Sequence, residues 1–239
     1  MKKFLILLIL FTLGASAQVT VGLKSGKTVE GETVKNNAGK IVVTMETGTS
    51  RTLNINEIAY VNSPRPSYID KLVKATYAKK YDLVLSTEKF LKDYSKLGWG
   101  HYGYLFFARS LVAKGKIADA RKALRTCRFS SLNSSNKLRD NSYVYTALVE
   151  VEVAAKDFAK AEEYLGKLKS FDSEARKFFY NARGDYYRAK GDNNRAVLDY
   201  YKVALFERKG DPERSAALRK IKAIYTELND PRVNDLKNL

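Results

Sequence analysis

Small residues that recur at nearly constant spacing constrain the fold of this chain more than any other feature. They stand 36, 41 and 35 residues apart, at Val84, Ala120, Ala161 and Ala196. Repeats of this length are typical of stacked helical hairpins, in which each unit buries its apolar face against the next. The sequence therefore predicts an array of helix pairs over most of its length.

Two copies of the pattern are nearly complete, and each reads as two helices joined by a tight turn. The first copy has Gly115 in its turn and Ala120 in its second helix, and the next has Gly191 and Ala196 in the same places. Glycine ends a helix readily because it accepts the left-handed conformation. Alanine lets the second helix lie close against the first. Both observations favour antiparallel hairpins.

The later copy also resembles a known family. The residues that carry the resemblance are Gly184, Tyr187, Ala196, Tyr200 and Val203. Their spacing is similar to that of the tetratricopeptide repeat, with a small residue at position eight, a large one at position eleven and Ala-x3-aromatic-x2-Ala in the second helix. The chain lacks the family's early tryptophan, and the closing proline is displaced to Pro212. The resemblance covers about residues 66–239 and implies a protein that works through surface contact.

The register gives a mainly α fold, an α-solenoid of about five tetratricopeptide-like hairpins. The 41-residue step implies an insertion, which we place in the Ser- and Asn-rich stretch 130–137. The predicted helix pairs are 67–79 with 81–95, 101–114 with 117–128, 140–155 with 158–169, 174–190 with 193–208, and 213–228 with 231–238.

The first 17 residues have the pattern of a signal peptide. Lys2 and Lys3 precede a short apolar run, and Ala15-Ser16-Ala17 fits the small-x-small rule for cleavage after Ala17. The run is too short for a membrane span, and no second apolar segment of spanning length follows it. We therefore expect a bacterial exported protein, periplasmic or secreted, with no transmembrane segment in its mature chain.

Residues 18–62 read as five short strands. β-branched residues alternate with polar ones, and turns rich in Gly and Asn separate the runs. The first hairpin, around 23–34, resembles that of SH3-like and Sm-like barrels, which implies a small all-β barrel in front of the helices. Gly31 is the position where the second strand would bend sharply. Residues 63–67 form the predicted linker, and the helical repeat domain follows over 68–239.

The chain carries a formal net charge of +17. Four cations lie on a predicted helix at 117–128: Arg121, Lys122, Arg125 and Arg128. Arg121, Arg125 and Arg128 share one face of it, and Lys122 lies beside them. Such a patch could attract anionic polysaccharide or lipid headgroups. The alternative is a solvated face that keeps a lysine-rich protein soluble. Export argues against nucleic acid as the partner.

Signals of catalysis are nearly absent. His101 is the single histidine and Cys127 the single cysteine, so no metal-ligand spacing and no nucleophile with a neighbouring base can be found. Cys127 falls where the repeat needs a small apolar side chain and reads as a core residue rather than a reactive thiol. We expect no cofactor, no metal and no enzymatic activity.

The family resemblance also implies a binding face, because the first helices of such hairpins line the concave side of the array. The inward positions are Tyr102, Arg109, Tyr143, Glu150, Asn181, Asp185, Arg188 and Lys222. This mixed, aromatic surface suits an extended segment of another envelope or secreted protein. The leading hypothesis is a non-catalytic adaptor, and the alternative is an electrostatic binder that uses the basic patch. An equal possibility for several of these residues is that they bridge adjacent repeats as ion pairs.

Overall fold

A computed structural model describes residues 18–168 and 170–239 of the chain. The predicted signal peptide, with its cleavage point after Ala17, lies outside the described residues. Within them, six strands are followed by ten α-helices, and helices account for most of the structure. No helix in this part of the chain combines the length and the apolar content that a bilayer crossing requires.

The helices form five consecutive hairpins close to the predicted register. The second helix of the first hairpin is divided at residues 86–87, and the last element is a 3-10 helix rather than an α-helix. The bounds are α1 Ser67–Tyr77, α2 Tyr81–Leu85 and α3 Glu88–Tyr94; α4 Gly100–Ala113 and α5 Ile117–Ser130; α6 Lys137–Ala154 and α7 Phe158–Gly166; α8 Arg176–Ala189 and α9 Asn193–Phe206; and α10 Pro212–Glu227 with the 3-10 helix Pro231–Asn238.

Local side chains fix where the second helices begin. The carboxylates of Asp157 and Asp192 accept hydrogen bonds from backbone N–H groups three residues later, at 3.2 and 3.0 Å. These bonds satisfy donors that the first turn of a helix leaves without a partner, and each cap contributes about 1 kcal/mol. The short turns therefore come from capping residues as well as from glycine.

The small residues of the repeat pattern lie at helix contacts, as predicted. Val84, Ala120, Ala161 and Ala196 are fully buried. A methyl group added to Gly184 on α8 would stand 2.4 Å from the ring of Tyr200 on α9, so glycine is required for these two helices to approach. The prediction that small residues mark the points where helices touch is confirmed.

The strands form two three-stranded antiparallel sheets and, among the described residues, no closed barrel. The bend predicted at Gly31 is present, and the SH3-like resemblance stays a prediction. One sheet has the order β2-β1-β6 and the other β3-β4-β5. The predicted second strand is two strands, because the chain bends at residues 31–32 and passes from one sheet to the other. The two sheets share a core that includes Val21, Ile41, Val43 and Val61. The bounds are β1 Val19–Leu23, β2 Thr28–Gly31, β3 Thr33–Asn37, β4 Lys40–Thr44, β5 Ser50–Asn54 and β6 Ile58–Asn62.

The connector 131–136, which the repeat spacing predicts as an insertion, joins the strands to the helices. Asn133 forms a short parallel bridge with Tyr60, and its carbonyl accepts a hydrogen bond from the N–H of Val61 at 2.9 Å. The side chains of Asn62 and Ser135 are also bonded, at 2.9 Å. The β region is therefore held by the connector between the second and third hairpins as well as by the chain that enters α1.

The turn before α4 touches the same strand. Gly98 has a φ of +81°, and a methyl group on it would stand 2.1 Å from the carbonyl oxygen of Val61. Next to it, the indole N–H of Trp99 donates to the carbonyl of Ser63 at 3.0 Å. Leu97 adds its side chain to the core between the sheets. Only glycine combines this backbone conformation with this close approach.

We expect Gly98→Ala to lower the free energy of unfolding by about 2–5 kcal/mol, because the added methyl group causes left-handed backbone strain and a steric clash with strand β6. Gly115→Ala is the matched control: Gly115 has a φ of +73° with open space around it, so only the strain of about 1 kcal/mol remains. Urea denaturation measures both. Equal losses of unfolding free energy in the two variants would show that the steric clash with Val61 does not contribute to the effect of Gly98→Ala.

Candidate functional site

The first helices of all five hairpins meet in one hydrogen-bonded network inside the array. Its members are Tyr77 on α1, Arg109 on α4, Glu150 on α6, Asn181 on α8 and Glu213 on α10. Arg109 donates to both oxygens of Glu150, at 2.8 and 2.5 Å, and to Glu213 at 2.6 Å. Glu213 also accepts from the Tyr77 hydroxyl at 2.5 Å and from the Asn181 amide at 2.7 Å. The superhelix is therefore wound tightly enough for the first and last hairpins to touch.

The two carboxylates of this network sit in different environments. Burial on its own would raise the pKa of Glu213, but Arg109, Tyr77 and Asn181 outweigh it and hold that pKa below its usual value. Burial also raises the pKa of Glu150, and there the attraction of Arg109 offsets burial only in part. Glu213 is the ionised anchor of the network, and Glu150 is the carboxylate whose charge is less well compensated.

An aromatic cluster fills the interior beside the network. The ring of Tyr102 lies 5.0 Å from that of Tyr143 and 5.1 Å from that of Phe106, and Phe178 packs edge-on against all three. The guanidinium of Arg109 lies 5.2 Å from the ring centre of Phe178. Edge-to-face contacts of this kind contribute about 0.5–1.5 kcal/mol each beyond the area they bury. The cluster makes this part of the inner face a core rather than a surface.

A groove remains open where the network reaches the surface, with a cavity volume of about 430 Å³. Its floor is apolar and made of small side chains. Asp185 and Lys220 form an ion pair of 2.7 Å at its rim. The lining residues used below are Tyr77, Arg109, Val112, Ala113, Ala147, Glu150, Val151, Ala154, Asp185, Glu213, Ala216 and Lys220.

The structure corrects part of the predicted concave face. Tyr143 and Asn181 are buried, and Tyr102 is packed within the aromatic cluster, so these three do not form an exposed surface. The prediction of an open face is wrong at these positions because the superhelix closes on itself there. Arg188 pairs with Glu227 on α10 at 2.6 Å, which is the bridging role that the sequence left open.

Lys222 does not line the groove, for a different reason. It is exposed, and it lies about 200° around α10 from Lys220, because each residue of a helix turns the side chain by roughly 100°. The inward position predicted on α10 therefore lies two residues after Lys220, the residue of that helix that lines the groove. Sequence reasoning also missed Tyr77 and Glu213; an acid in the first turn after Pro212 reads as a favourable partner of the helix dipole, not as an interior anchor.

Arg109, Glu150 and Asp185 are the predicted residues that the groove does contain. They come from α4, α6 and α8, the first helices of three successive hairpins. Their assignment to a binding surface stays a prediction, but their convergence on one opening agrees with the inward positions that the family resemblance implies.

Two of the four residues of the predicted basic patch make contacts within the molecule. Arg121 binds the buried carboxylate of Glu152 on α6, and Arg128 lies 5.7 Å from the ring centre of Tyr145. Lys122 and Arg125 are exposed, and neither has an ion pair among the described residues. Half of the patch therefore fastens α5 to α6, and the other half faces solvent.

The single histidine and cysteine are both buried. His101 lies in the first turn of α4 with its Nδ1 3.8 Å from Asp140, and burial lowers the pKa of this imidazole. Burial raises the pKa of the Cys127 thiol to about 12, which confirms a core residue rather than a reactive thiol. Across the described ranges, no three His, Cys, Asp or Glu side chains are grouped so as to hold a metal ion.

The hairpin array and its inner groove define a helical-repeat domain of the kind that serves as a protein-interaction scaffold. A family model for a tetratricopeptide repeat-like domain matches residues 67–225, about two thirds of the chain, and the chain belongs to this family. No curated protein and no solved structure gives a significant match.

We expect Arg109→Met to lower the free energy of unfolding by about 3–5 kcal/mol at pH 7, because two buried carboxylates lose their shared cation. The loss should shrink at pH 4, where both carboxylates, buried without Arg109, are protonated. In the parent chain the depressed pKa of Glu213 narrows the difference further: its stabilising contribution is complete above the unfolded pKa and disappears as the pH falls through the folded one.

Arg188→Met is the matched control, since its partner Glu227 is exposed and such pairs contribute about 0–1 kcal/mol. Urea denaturation of both variants at the two pH values gives the comparison. A loss for Arg109→Met that is as small as the control, or that does not change with pH, contradicts the role assigned to the network.

Proposed function

We propose that this chain is a non-catalytic adaptor that binds a segment of another protein in the groove above the Arg109 network. The observation that carries the proposal is that the first helices of all five hairpins contribute a side chain to the groove or to the network beneath it. A site that depends on every hairpin gives a reason for the array to be wound as it is. A partner segment bound there would touch α1, α4, α6, α8 and α10 at once.

The lining of the groove suits a peptide. Small apolar side chains on its floor, Val112, Ala147, Val151 and Ala216, leave room for the backbone of a partner and for small side chains. Polar groups stand at its rim and can accept or donate hydrogen bonds. Interfaces with an apolar centre and a polar rim are typical of protein partners.

A larger cleft of about 660 Å³ lies between α7 and α8, but it is lined only by these two helices, the loop between them and the start of α9, whereas all five hairpins contribute to the central groove. Its cations are also engaged with neighbouring side chains. Arg183 is bound by both oxygens of Asp199, Lys190 by the Tyr186 hydroxyl, and Arg195 by Asp192. This cleft arises because α7 ends at Gly166, after nine residues, and leaves the neighbouring helix uncovered. The central groove is therefore the better candidate for a partner.

The proposal includes export and an envelope or secreted partner. Its support is the sequence of residues 1–17, with two lysines, a short apolar run and a small-x-small cleavage signal before residue 18. The β region would then be part of the exported molecule, beside the helical array. N-terminal sequencing of the protein purified from the periplasm or medium tests this part, with Gln18 as the expected first residue.

We expect a photoreactive amino acid at Ala154, an exposed groove position, to crosslink in intact cells to a small set of proteins. A second substitution, Ala113→Trp, fills the same groove and should abolish the adducts without loss of stability, because Ala113 is exposed as well. The photoreactive group at Ala159, exposed on α7, is the control. Adducts that persist in Ala113→Trp, or that form equally from position 159, would contradict the groove as the binding site.

Lys122 and Arg125 support a second candidate function, electrostatic binding of anionic glycan or lipid headgroups. Both are exposed and have no ion pair among the residues that the structure describes. We expect such binding to heparin or to anionic vesicles to fall by more than tenfold between 50 and 300 mM salt, because the interaction is screened. Lys122→Gln with Arg125→Gln should remove it, and Lys35→Gln with Lys40→Gln on the strands is the control pair. Binding that persists in the double variant contradicts this candidate.

A further inference from the structure

The charge of the groove is unbalanced, and this property deepens the function proposed above, on which it rests. Two cations line the groove, Arg109 and Lys220, against three carboxylates, Glu150, Asp185 and Glu213. Arg109 is shared between Glu150 and Glu213, and Lys220 pairs with Asp185. In their ionised forms the three carboxylates of the groove therefore outnumber its cations by one.

The surplus charge is held away from water. The side chains of Glu150 and Glu213 are only 14% and 4% exposed, so solvent screens them poorly. Asp185 is close enough to Glu150 to raise the pKa of that carboxyl further by repulsion. A carboxylate in such a place is destabilised, and a second cation placed beside it would relieve the repulsion.

The ends of helices add to the same field. The last residues of α1, α4 and α6, which are Tyr77, Ala113 and Ala154, all line the groove. The C-terminal end of a helix carries a partial negative charge and the N-terminal end a partial positive one. Three C-terminal ends stand against two N-terminal ends, at Tyr81 of α2 and Glu213 of α10, so their sum favours a positive ligand. Of the lysines that follow these helices, Lys114 pairs with Asp82, and Lys79, Lys80 and Lys156 do not line the groove.

The geometry points to a partner segment that inserts one basic side chain, lysine or arginine, between Glu150 and Asp185, with small apolar residues on either side of it. The ammonium or guanidinium group takes the place of the missing cation. The flanking residues lie on the floor formed by Ala147, Val151 and Ala216. Lys220 holds one oxygen of Asp185 and the Tyr200 hydroxyl donates to the other, both at 2.7 Å. Lys220 therefore competes as a cation with the incoming group for that carboxylate.

The probe is a phage-displayed library of 12-residue peptides, selected on the full chain and counter-selected on Ala113→Trp so that only peptides that need the groove remain. The expected result is enrichment of one lysine or arginine between small apolar residues, with aspartate and glutamate depleted. A labelled peptide from the selection and its analogue with norleucine for the basic residue are then compared by fluorescence anisotropy. The analogue should bind about tenfold more weakly.

Two protein variants move the affinity in opposite directions. Asp185→Asn removes a carboxylate and should weaken the basic peptide about tenfold, whereas Lys220→Gln removes the competing cation and should strengthen it about fivefold. A gain in affinity cannot come from damage to the fold. Glu163→Gln changes an exposed acid on α7 that pairs with Lys167; it is the control and should leave the affinity unchanged.

The outcomes separate this inference from the function on which it rests. If the selected peptides need the groove but carry no basic residue, or if Lys220→Gln weakens them, the charge inference is overturned and the protein-binding groove stands. If no peptide depends on the groove, both are overturned.

Discussion

The salt bridge between Arg109 and Glu213 determines the form of the helical array. In a typical solenoid each repeat contacts only its neighbours, so curvature can vary along the array. Here Glu213 on α10 is bound to Arg109 on α4 and to Tyr77 on α1, residues more than a hundred positions away in the sequence. These bonds close the superhelix. They also explain why the inner face is a packed core over part of its length and a groove only where the helices end.

Other ion pairs show a division between acids and bases. Many carboxylates of the helical region pair with a cation on a different helix, as in Arg121–Glu152, Arg183–Asp199 and Lys177–Asp211. Several of these acids are nearly buried while their cationic partners reach the surface. The acids therefore act inside the array, and unpaired lysines and arginines remain outside.

The sequence predicts the local structure well because hairpins depend on short-range patterns. The helix bounds, the buried Ala120 and Ala196, and the close contact at Gly184 all follow from spacing within one repeat. The closure of the superhelix does not follow, because it is the sum of small rotations between successive hairpins that no single repeat encodes. This is why Tyr143 and Asn181 are buried where an open face was expected. The place of Lys220 rather than Lys222 at the groove is instead a matter of register along α10. In the β region the bend at Gly31 was expected from the sequence, but it divides the strand between two sheets, and which sheet each half joins depends on pairings between strands distant in the sequence.

The connector 131–136 ties strand β6 to the junction between the second and third hairpins, through the bond from Val61 to Asn133. It leads directly into α6, and α6 and α4 both line the groove. A rotation of α6 relative to α5 must therefore either carry the strand with it or break that bond. A change in the angle between the second and third hairpins would therefore change the position of the sheet that contains β6, on the other side of the junction.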